Sequence, residues 1–398
     1  MPVSTTRRQF LRASGFVCLS FGIPLDTALS QEPARLPGDL QTNRRLSAWL
    51  RIESDHTVTL MVGKVELGQG ILTAVTQVCA EELDVEIGQI KVISGDTSLV
   101  PNEGVTAGSL SMPYCATAVR HASAEVRAIL LGLAAEKWGR PVEGLTVQAG
   151  VIQAPDGARL RYGDLVVGQA LNQEATGKVA LKAVGEHRYI GRSVQRSDIF
   201  HKVMGHSIFV QEMKLPGMLH AQVVRPPAPG GQLIGVEVSA VQRMPGVVSV
   251  VRNGSFLGVV AERVEQALTA AQALAQSAQW KAGPALPRSS DMAQWLRHAP
   301  SRLIETRKQP RTSGPKAART LKASYYRPYQ MHASIGTSAA LAQWDGKQLL
   351  VHTHSQSVFE TRLAIARMLE LPVENVRLQH VQGAGCYGHN FADDAAAD

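Results

Sequence analysis

Residues 57–83 read TVTLMVGKVELGQGILTAVTQVCAEEL, a strand, a turn and a helix in that order. Thr57 to Val62 alternates as a strand facing a core on one side. Leu67-Gly68-Gln69-Gly70 then turns the chain, because glycine takes positive φ without steric cost. Leu72, Val75, Cys79 and Leu83 follow at helical spacing, and Ile90 to Ile93 reads as a second strand. A strand, a crossover helix and another strand are the opening of an α+β unit.

The rest of residues 44–163 extends that unit. A loop rich in Gly, Ser and Thr follows Pro101 and leads to a long helix with Pro113 near its first turn. Val119, Ala122, Val126, Ile129 and Leu133 form one face of that helix, and Gly139 stops it. Residues 182–283 change character, with short strands at Ser207 to Val210, Leu219 to Val224 and Val247 to Val251 and one helix from Val264 to Ser277. Residues 284–322 form a basic stretch broken by Pro300, Pro310 and Pro315, which reads as a solvated linker. From 323 the first pattern resumes. Leu349 to Thr353 is a strand leading to His354-Ser355-Gln356. Ser357 and Glu360 are placed for a capping box on a helix that Pro372 ends, and Val376 to Val381 is a further strand. After the Gly383–Gly388 loop, Asp393 to Asp398 reads as the first turn of a helix, and the domain that opens at 323 is expected to be truncated at 398.

Composition narrows the classes. A chain of 398 residues, 44% hydrophobic and 19% charged, folds as about two or three globular domains. Aromatic residues make up 5%, too few for base-stacking platforms, so the net charge of +8 does not point to nucleic acid. Cys18, Cys79, Cys115 and Cys386 are far apart, which argues against a zinc site or an iron–sulfur cluster held by this chain alone. At the N-terminus, Arg7-Arg8-Gln9-Phe10-Leu11 precedes an apolar stretch from Ala13 to Ile23 that is too short to span a bilayer. Residues 1–30 therefore read as a twin-arginine export signal with a small-residue site near Ala28-Leu29-Ser30. The expected location is the periplasm, with association to the inner membrane only through partners. That route carries folded proteins, which suits a protein loaded with a redox cofactor before export.

Four short constellations could carry chemistry. Gly68, Gln69 and Gly70 combine close backbone approach with an amide that donates and accepts, as the edge of a pterin or nucleotide base requires; an ordinary turn has the same composition. Gly108, Ser109 and Ser111 lie just before the long helix, where hydroxyls and free N–H groups can seat phosphate oxygens or merely cap a loop. Gln356 sits between a strand and a helix, either toward a ligand or satisfying local backbone. Gly383, Ala384, Gly385, Cys386, Tyr387 and Gly388 form a loop whose backbone could line a packed cofactor, without the Gly-Lys-Ser/Thr ending of a phosphate loop.

These strings, with Gly63-Lys64-Val65-Glu66, Val105-Thr106-Ala107 and Tyr326-Arg327-Pro328-Tyr329-Gln330-Met331-His332, resemble one family. They look like the molybdopterin-binding large (beta) subunits of the xanthine dehydrogenase and aldehyde oxidase superfamily, of the isoquinoline 1-oxidoreductase kind. Asp198, Val203-Met204-Gly205, Leu219-His220-Ala221 and Met244-Pro245-Gly246 resemble the α/β hammerhead domain of xanthine dehydrogenases. Here the Gly-Gln-Gly segment precedes the hammerhead segment, the rearranged order of the isoquinoline branch. The resemblance implies molybdopterin, elongated as a cytosine dinucleotide, and hydroxylation of an aldehyde or N-heteroaromatic carbon with water as oxygen source. It implies Gln69 at the pterin, Ser109 and Ser111 at the dinucleotide, Gln356 near the metal with its amide N–H toward developing charge, and the 383–388 loop beside it, with Cys386 not itself a ligand. Partners implied are a small [2Fe–2S] subunit, a cytochrome c subunit and a separate C-terminal half carrying the glutamate base. Thr337 stands where many relatives have proline. Two rival expectations stand beside this one: a catalytically inactive truncated fragment, and a metal-free periplasmic binding module.

Overall fold

The computed structural model describes residues 35–166, 172–302, 304, 318–330, 332–383, 385–391 and 395–398. The export signal at 1–30, Ala384, Asp393, Asp394 and much of the proline-broken basic stretch lie outside the described residues. In chain order the strands are β1 (Leu50–Ile52), β2 (Val58–Val62), β3 (Ile90–Ser94), β4 (Thr146–Gln148), β5 (Val151–Gln153), β6 (Arg159–Arg161), β7 (His220–Val223), β8 (Gln232–Gly235), β9 (Val247–Asn253), β10 (Phe256–Ala261), β11 (Gln279–Lys281), β12 (Ala340–Trp344), β13 (Leu349–Thr353) and β14 (Val376–His380). The principal helices are α1 (Ile71–Leu83), α2 (Thr117–Trp138), α3 (Val264–Ser277), α4 (Met292–His298) and α5 (Val358–Met368). Strands and helices are mixed throughout, an α+β protein. Two compact units result, one built from residues up to Met213 together with His332–Asp398, the other from Lys214–Met331.

The first unit contains the same motif twice. In one copy β1 pairs antiparallel with β2, and β2 pairs parallel with β3 across the α1 crossover. In the other, β12 pairs antiparallel with β13, and β13 pairs parallel with β14 across α5. The copies meet edge to edge where the chain just past β3 runs along the last residues of β14. Asp96 bridges antiparallel to Gln379, with Thr97 N–H donating to the Leu378 carbonyl at 3.0 Å and His380 N–H to the Gly95 carbonyl at 2.9 Å. Side chains reinforce the seam. Asp96, 4% exposed, takes both prongs of Arg377 and the Gln379 amide. Because ligands collect beyond the carboxyl ends of parallel strands, this seam brings four such loops to one place.

Helix α1 and helix α2 cover the first sheet around Trp49, Leu60, Leu83 and Leu130, all fully buried. β2 is buried along its whole length instead of alternating. Helix α2 keeps Val119, Ala122 and Val126 inside as its spacing predicts, but Leu130 and Ala134 are the more deeply buried continuation, with Ile129 and Leu133 partly covered. Gly139 ends it at φ 62°.

Residues 182–213, read from sequence with the middle domain, pack in this first unit. They have little regular structure, so their N–H groups need other acceptors. Buried carboxylates supply them. Glu81 on α1 accepts from Arg188, Tyr189 and Ile190 N–H at 2.7–3.1 Å, and Glu82 from Lys182 N–H at 3.2 Å. The expected strand Ser207 to Val210 is absent. Glu212 takes the Ile208 and Phe209 N–H groups, and only an isolated bridge joins Phe209 to Gln382.

In the second unit, β10 lies between β7 and β9, all antiparallel, and β8 pairs with β11. Helix α3 buries Ala267, Ala270 and Leu274 at helical spacing, the last two in a core with Leu257 and Val259. The stretch read as a linker contains α4.

Candidate functional site

The four loops beyond β2, β3, β13 and β14 line an open cavity of about 710 Å³. Its lining includes Leu67, Gly68, Gln69, Gly70, Ile71 and Ala74 from the first loop and α1, and Thr106, Ala107, Gly108, Ser109, Ser111 and Met112 from the second. Gln356 comes from the third and Gly385, Cys386, Tyr387 and Gly388 from the fourth. All the described candidates from sequence share this space except Gly383. A Cβ there would sit 2.6 Å from the His354 imidazole, so Gly383 packs on His354 and carries the loop past it without lining the cavity.

Each wall has a local cause. Glu66, 3% exposed, folds its carboxylate into the first loop and accepts from Gly68, Gly70 and Leu72 N–H at 2.8–3.3 Å. The free N–H groups opening α1 are thus partly answered from within the chain, and this end already holds a negative charge. Gln69 is committed to the same turn: its oxygen accepts from Leu67 N–H at 2.6 Å and its nitrogen donates to the Val65 carbonyl at 3.0 Å. Its amide thus shapes the loop, as an ordinary turn residue would, while the residue still borders the cavity. Arg196 donates to the Gly68 carbonyl at 2.8 Å and is held by Asp198.

The second loop is open to a ligand. Gly108 and Ser109 take φ of 63° and 58°, a tight turn that leads into a wide π-type turn at Ser111–Ala116 and then α2. Among the described residues, the N–H groups of Gly108, Ser109, Ser111 and Met112 donate to no protein acceptor. With two serine hydroxyls beside them, this end suits anionic oxygens.

Gln356 closes the cavity from the other copy of the motif. It is 4% exposed, and its Nε2 donates to the Thr106 carbonyl at 2.9 Å while Thr106 N–H donates back to the Gln356 carbonyl at 2.9 Å. Thr106 Oγ1 in turn accepts from Val65 N–H at 3.0 Å, tying three of the loops through one residue. Among the described residues the Gln356 Oε1 has no partner. The role expected of this amide is that of an N–H donor; one of its two N–H groups is spent on Thr106, and the second N–H and the Oε1 are left over. A buried unpaired carbonyl oxygen is costly unless a ligand donates to it. The expected capping box at Ser357 and Glu360 does not form. Ser357 Oγ is unpaired, its N–H donates to Ser355 Oγ at 3.2 Å, and α5 ends at Met368, four residues before Pro372.

His380 sits at the seam beneath the first loop. Its ring nitrogens face the Ser355 carbonyl at 3.2 Å and the Glu66 carbonyl at 3.0 Å, and burial lowers its pKa to about 4. Among the described residues no group of three or more His, Cys, Asp or Glu could hold a metal ion.

The comparisons with known proteins concern the same segments. A profile described as Molybdopterin cofactor-binding domain matches residues 3–208, and a second profile of that description matches residues 298–395. The chain belongs to the molybdopterin cofactor-binding family. It is of the molybdenum large-subunit kind found in xanthine dehydrogenase-type enzymes. It is 38% identical over 366 residues to a nicotinate dehydrogenase subunit of Pseudomonas putida, covering 89% of this chain and 31% of that protein. It is 28% identical over 328 residues to the beta subunit of isoquinoline 1-oxidoreductase of Brevundimonas diminuta, covering 71% and 41%. The solved aldehyde oxidoreductase of Desulfovibrio gigas matches with a TM-score of 0.42 and 18% identity, over 59% of this chain and 32% of that one. The chain spans 31% and 41% of the two curated relatives.

Sequence reasoning missed Thr106 as the hub, Glu66 as the carboxylate under the first loop, and His380 and Asp96 at the seam. Thr106 and Glu66 lie inside the strings that carry the family resemblance. The other two give no local signal.

Proposed function

We propose that the cavity binds molybdopterin, and that this chain supplies that site to a molybdenum hydroxylase acting on an aldehyde or N-heteroaromatic substrate. The observation that carries the reading is the buried Gln356 Oε1, unpartnered among the described residues, at a cavity whose adjoining second loop offers free N–H groups and hydroxyls. A pterin has ring N–H donors for the first and phosphate oxygens for the second. The N–H groups of Gly68, Gly70 and Leu72 at the α1 end are already taken by Glu66, so the phosphate end belongs at Gly108 to Met112 and the ring between Gln69 and Gln356. A cytosine dinucleotide would extend beyond Ser109 and Ser111. The bound group would supply the two-electron redox chemistry; the residues of this chain orient it and satisfy its polar edges.

The relatives' names, a nicotinate dehydrogenase and an isoquinoline oxidoreductase, support an electron-poor heteroaromatic substrate, and their designation as subunits supports partner chains. We place a small [2Fe–2S] subunit and a cytochrome c subunit among those partners. The middle unit is read as an α/β hammerhead domain, and the paired arginines at Arg7 and Arg8 as the signal that directs the loaded protein to the periplasm.

The test is the cofactor content of the chain and its associated chains purified from the native host. Wild-type protein should carry pterin and molybdenum in equal amounts. Gly108→Asp, which adds a carboxylate where only the Leu110 side chain lies near, at 3.5 Å, should lose both while keeping its circular dichroism. Protein without pterin, or a variant that retains it, would contradict the proposal.

A further inference from the structure

Below the second loop lies a buried polar cluster that the cavity does not use directly. Glu103, 7% exposed, accepts from Gly63 and Lys64 N–H through Oε2. Among the described residues its Oε1 has no donor, and neither does the buried Oδ2 of Asp39. These two carboxyl groups face each other, and a proton held between them would satisfy both orphaned oxygens at once. Lys64, 3% exposed, donates to the carbonyls of Glu103 and Val105. The Cys115 thiol also faces Glu103, and burial pushes its pKa up, so it remains a thiol.

Charge balance gives the same answer. The cluster sets two carboxyl groups against the single Lys64 amine, so one proton shared between the acids balances it and its loss leaves an uncompensated buried charge. Both ends of the cavity wall converge here. Glu103 begins the loop, Cys115 lies in the π-type turn that ends it, and Gly38, beside Asp39, packs so tightly on that turn that a Cβ would sit 2.2 Å from the Tyr114 carbonyl.

We propose that Glu103 and Asp39 share one proton, and that this acid–acid hydrogen bond positions the 104–111 wall of the cavity. Burial, then the neighbouring Asp39, raises the Glu103 pKa to about 8. A raised folded-state value means that the bond stabilises the closed loop fully at low pH and progressively less as pH rises toward that value. The inference does not depend on what the cavity binds.

Infrared difference spectroscopy of the full chain reads the proton directly. One protonated-carboxyl C=O band should be present at about pH 7 and lost by about pH 10, where ordinary carboxylates have long been ionised. Glu103→Gln should lack it, and Asp39→Asn should lose it at lower pH than wild type. Hydrogen exchange reads the positioning. Protection at Gly63, Val65 and Thr106 N–H should fall about tenfold per pH unit from about pH 5 to about pH 8 and then level off. In Glu103→Gln, whose amide can donate to Asp39 at any pH, it should be flat. The absence of the band at neutral pH, or its survival in Glu103→Gln, overturns the shared proton. A protection slope that is absent in wild type, or unchanged in Glu103→Gln, overturns the positioning role. If Glu103→Gln does not fold, the titration of Asp39→Asn decides.

Discussion

Asp96→Ala should cost about 3 kcal/mol and weaken the union of the two motif copies. The carboxylate accepts from Arg377 Nε at 3.0 Å and Nη2, from Gln379 Nε2 at 2.8 Å, and from Ser98 N–H at 3.0 Å. Hydrogen bonds to a charged group contribute about 1.5–3 kcal/mol each, but these share one carboxylate and do not add. Breaking a buried ion pair costs about 3–5 kcal/mol. The Arg377 side chain is 40% exposed and regains water when its partner is lost, which places the figure at the lower end. The loss should depend on pH. Burial alone would raise the Asp96 pKa, but donation by Arg377, Gln379 and Ser98 outweighs it and holds the group below the usual carboxylate range. A depressed folded-state value contributes stability above the unfolded value of about 3.9, and that contribution disappears as pH falls through the folded one. Urea unfolding followed by tryptophan fluorescence should show a constant difference between wild type and variant from about pH 5 to pH 8, shrinking below about pH 4. Asp156→Ala, which removes an exposed partner of Arg140, should leave the midpoint unchanged. A loss under about 1 kcal/mol, the scale of an exposed ion pair, would refute the idea that the seam depends on this group.

Gly95→Ala should destabilise by about 2–4 kcal/mol in the same assay, since a Cβ there would lie 2.6 Å from both His380 and Val65 at a φ of 59°. Gln356→Leu should lose about 1–3 kcal/mol by leaving the Thr106 carbonyl buried without its donor, a thermal shift that Gln356→Glu, if protonated, partly restores. His380 resists protonation down to about pH 4, against an unfolded value near 6.5, so folded-state stability should fall as pH drops between those values. In His380→Gln that part of the acid sensitivity should be missing from a pH series of melting temperatures.

Elements whose residues face one uniform environment were legible in the sequence. Leu349–Thr353 and Val264–Ser277 have the expected bounds, because an alternating or 3.6-residue apolar pattern meets a single core. Reading failed where a side chain captured backbone donors. Glu212 removes the N–H groups that Ser207 to Val210 would need for a ladder, and Ser355 Oγ takes the Ser357 N–H that a capping box would give to the Glu360 side chain. The candidate residues were found because they lie in four short strings. Their convergence was not visible, since it depends on pairings such as Asp96 with Arg377, 281 positions apart. No periodicity records a contact of that kind. The same holds for the Glu103 and Asp39 pair, which looks in sequence like two ordinary surface acids.

The most direct test of the account is hydrogen exchange of the full chain with and without added molybdopterin cytosine dinucleotide. Amides at 67–70, 106–112, 356 and 385–388 should gain protection together, as one ligand touching four loops requires. Protection confined to one loop, or appearing elsewhere in the chain, would contradict a shared site.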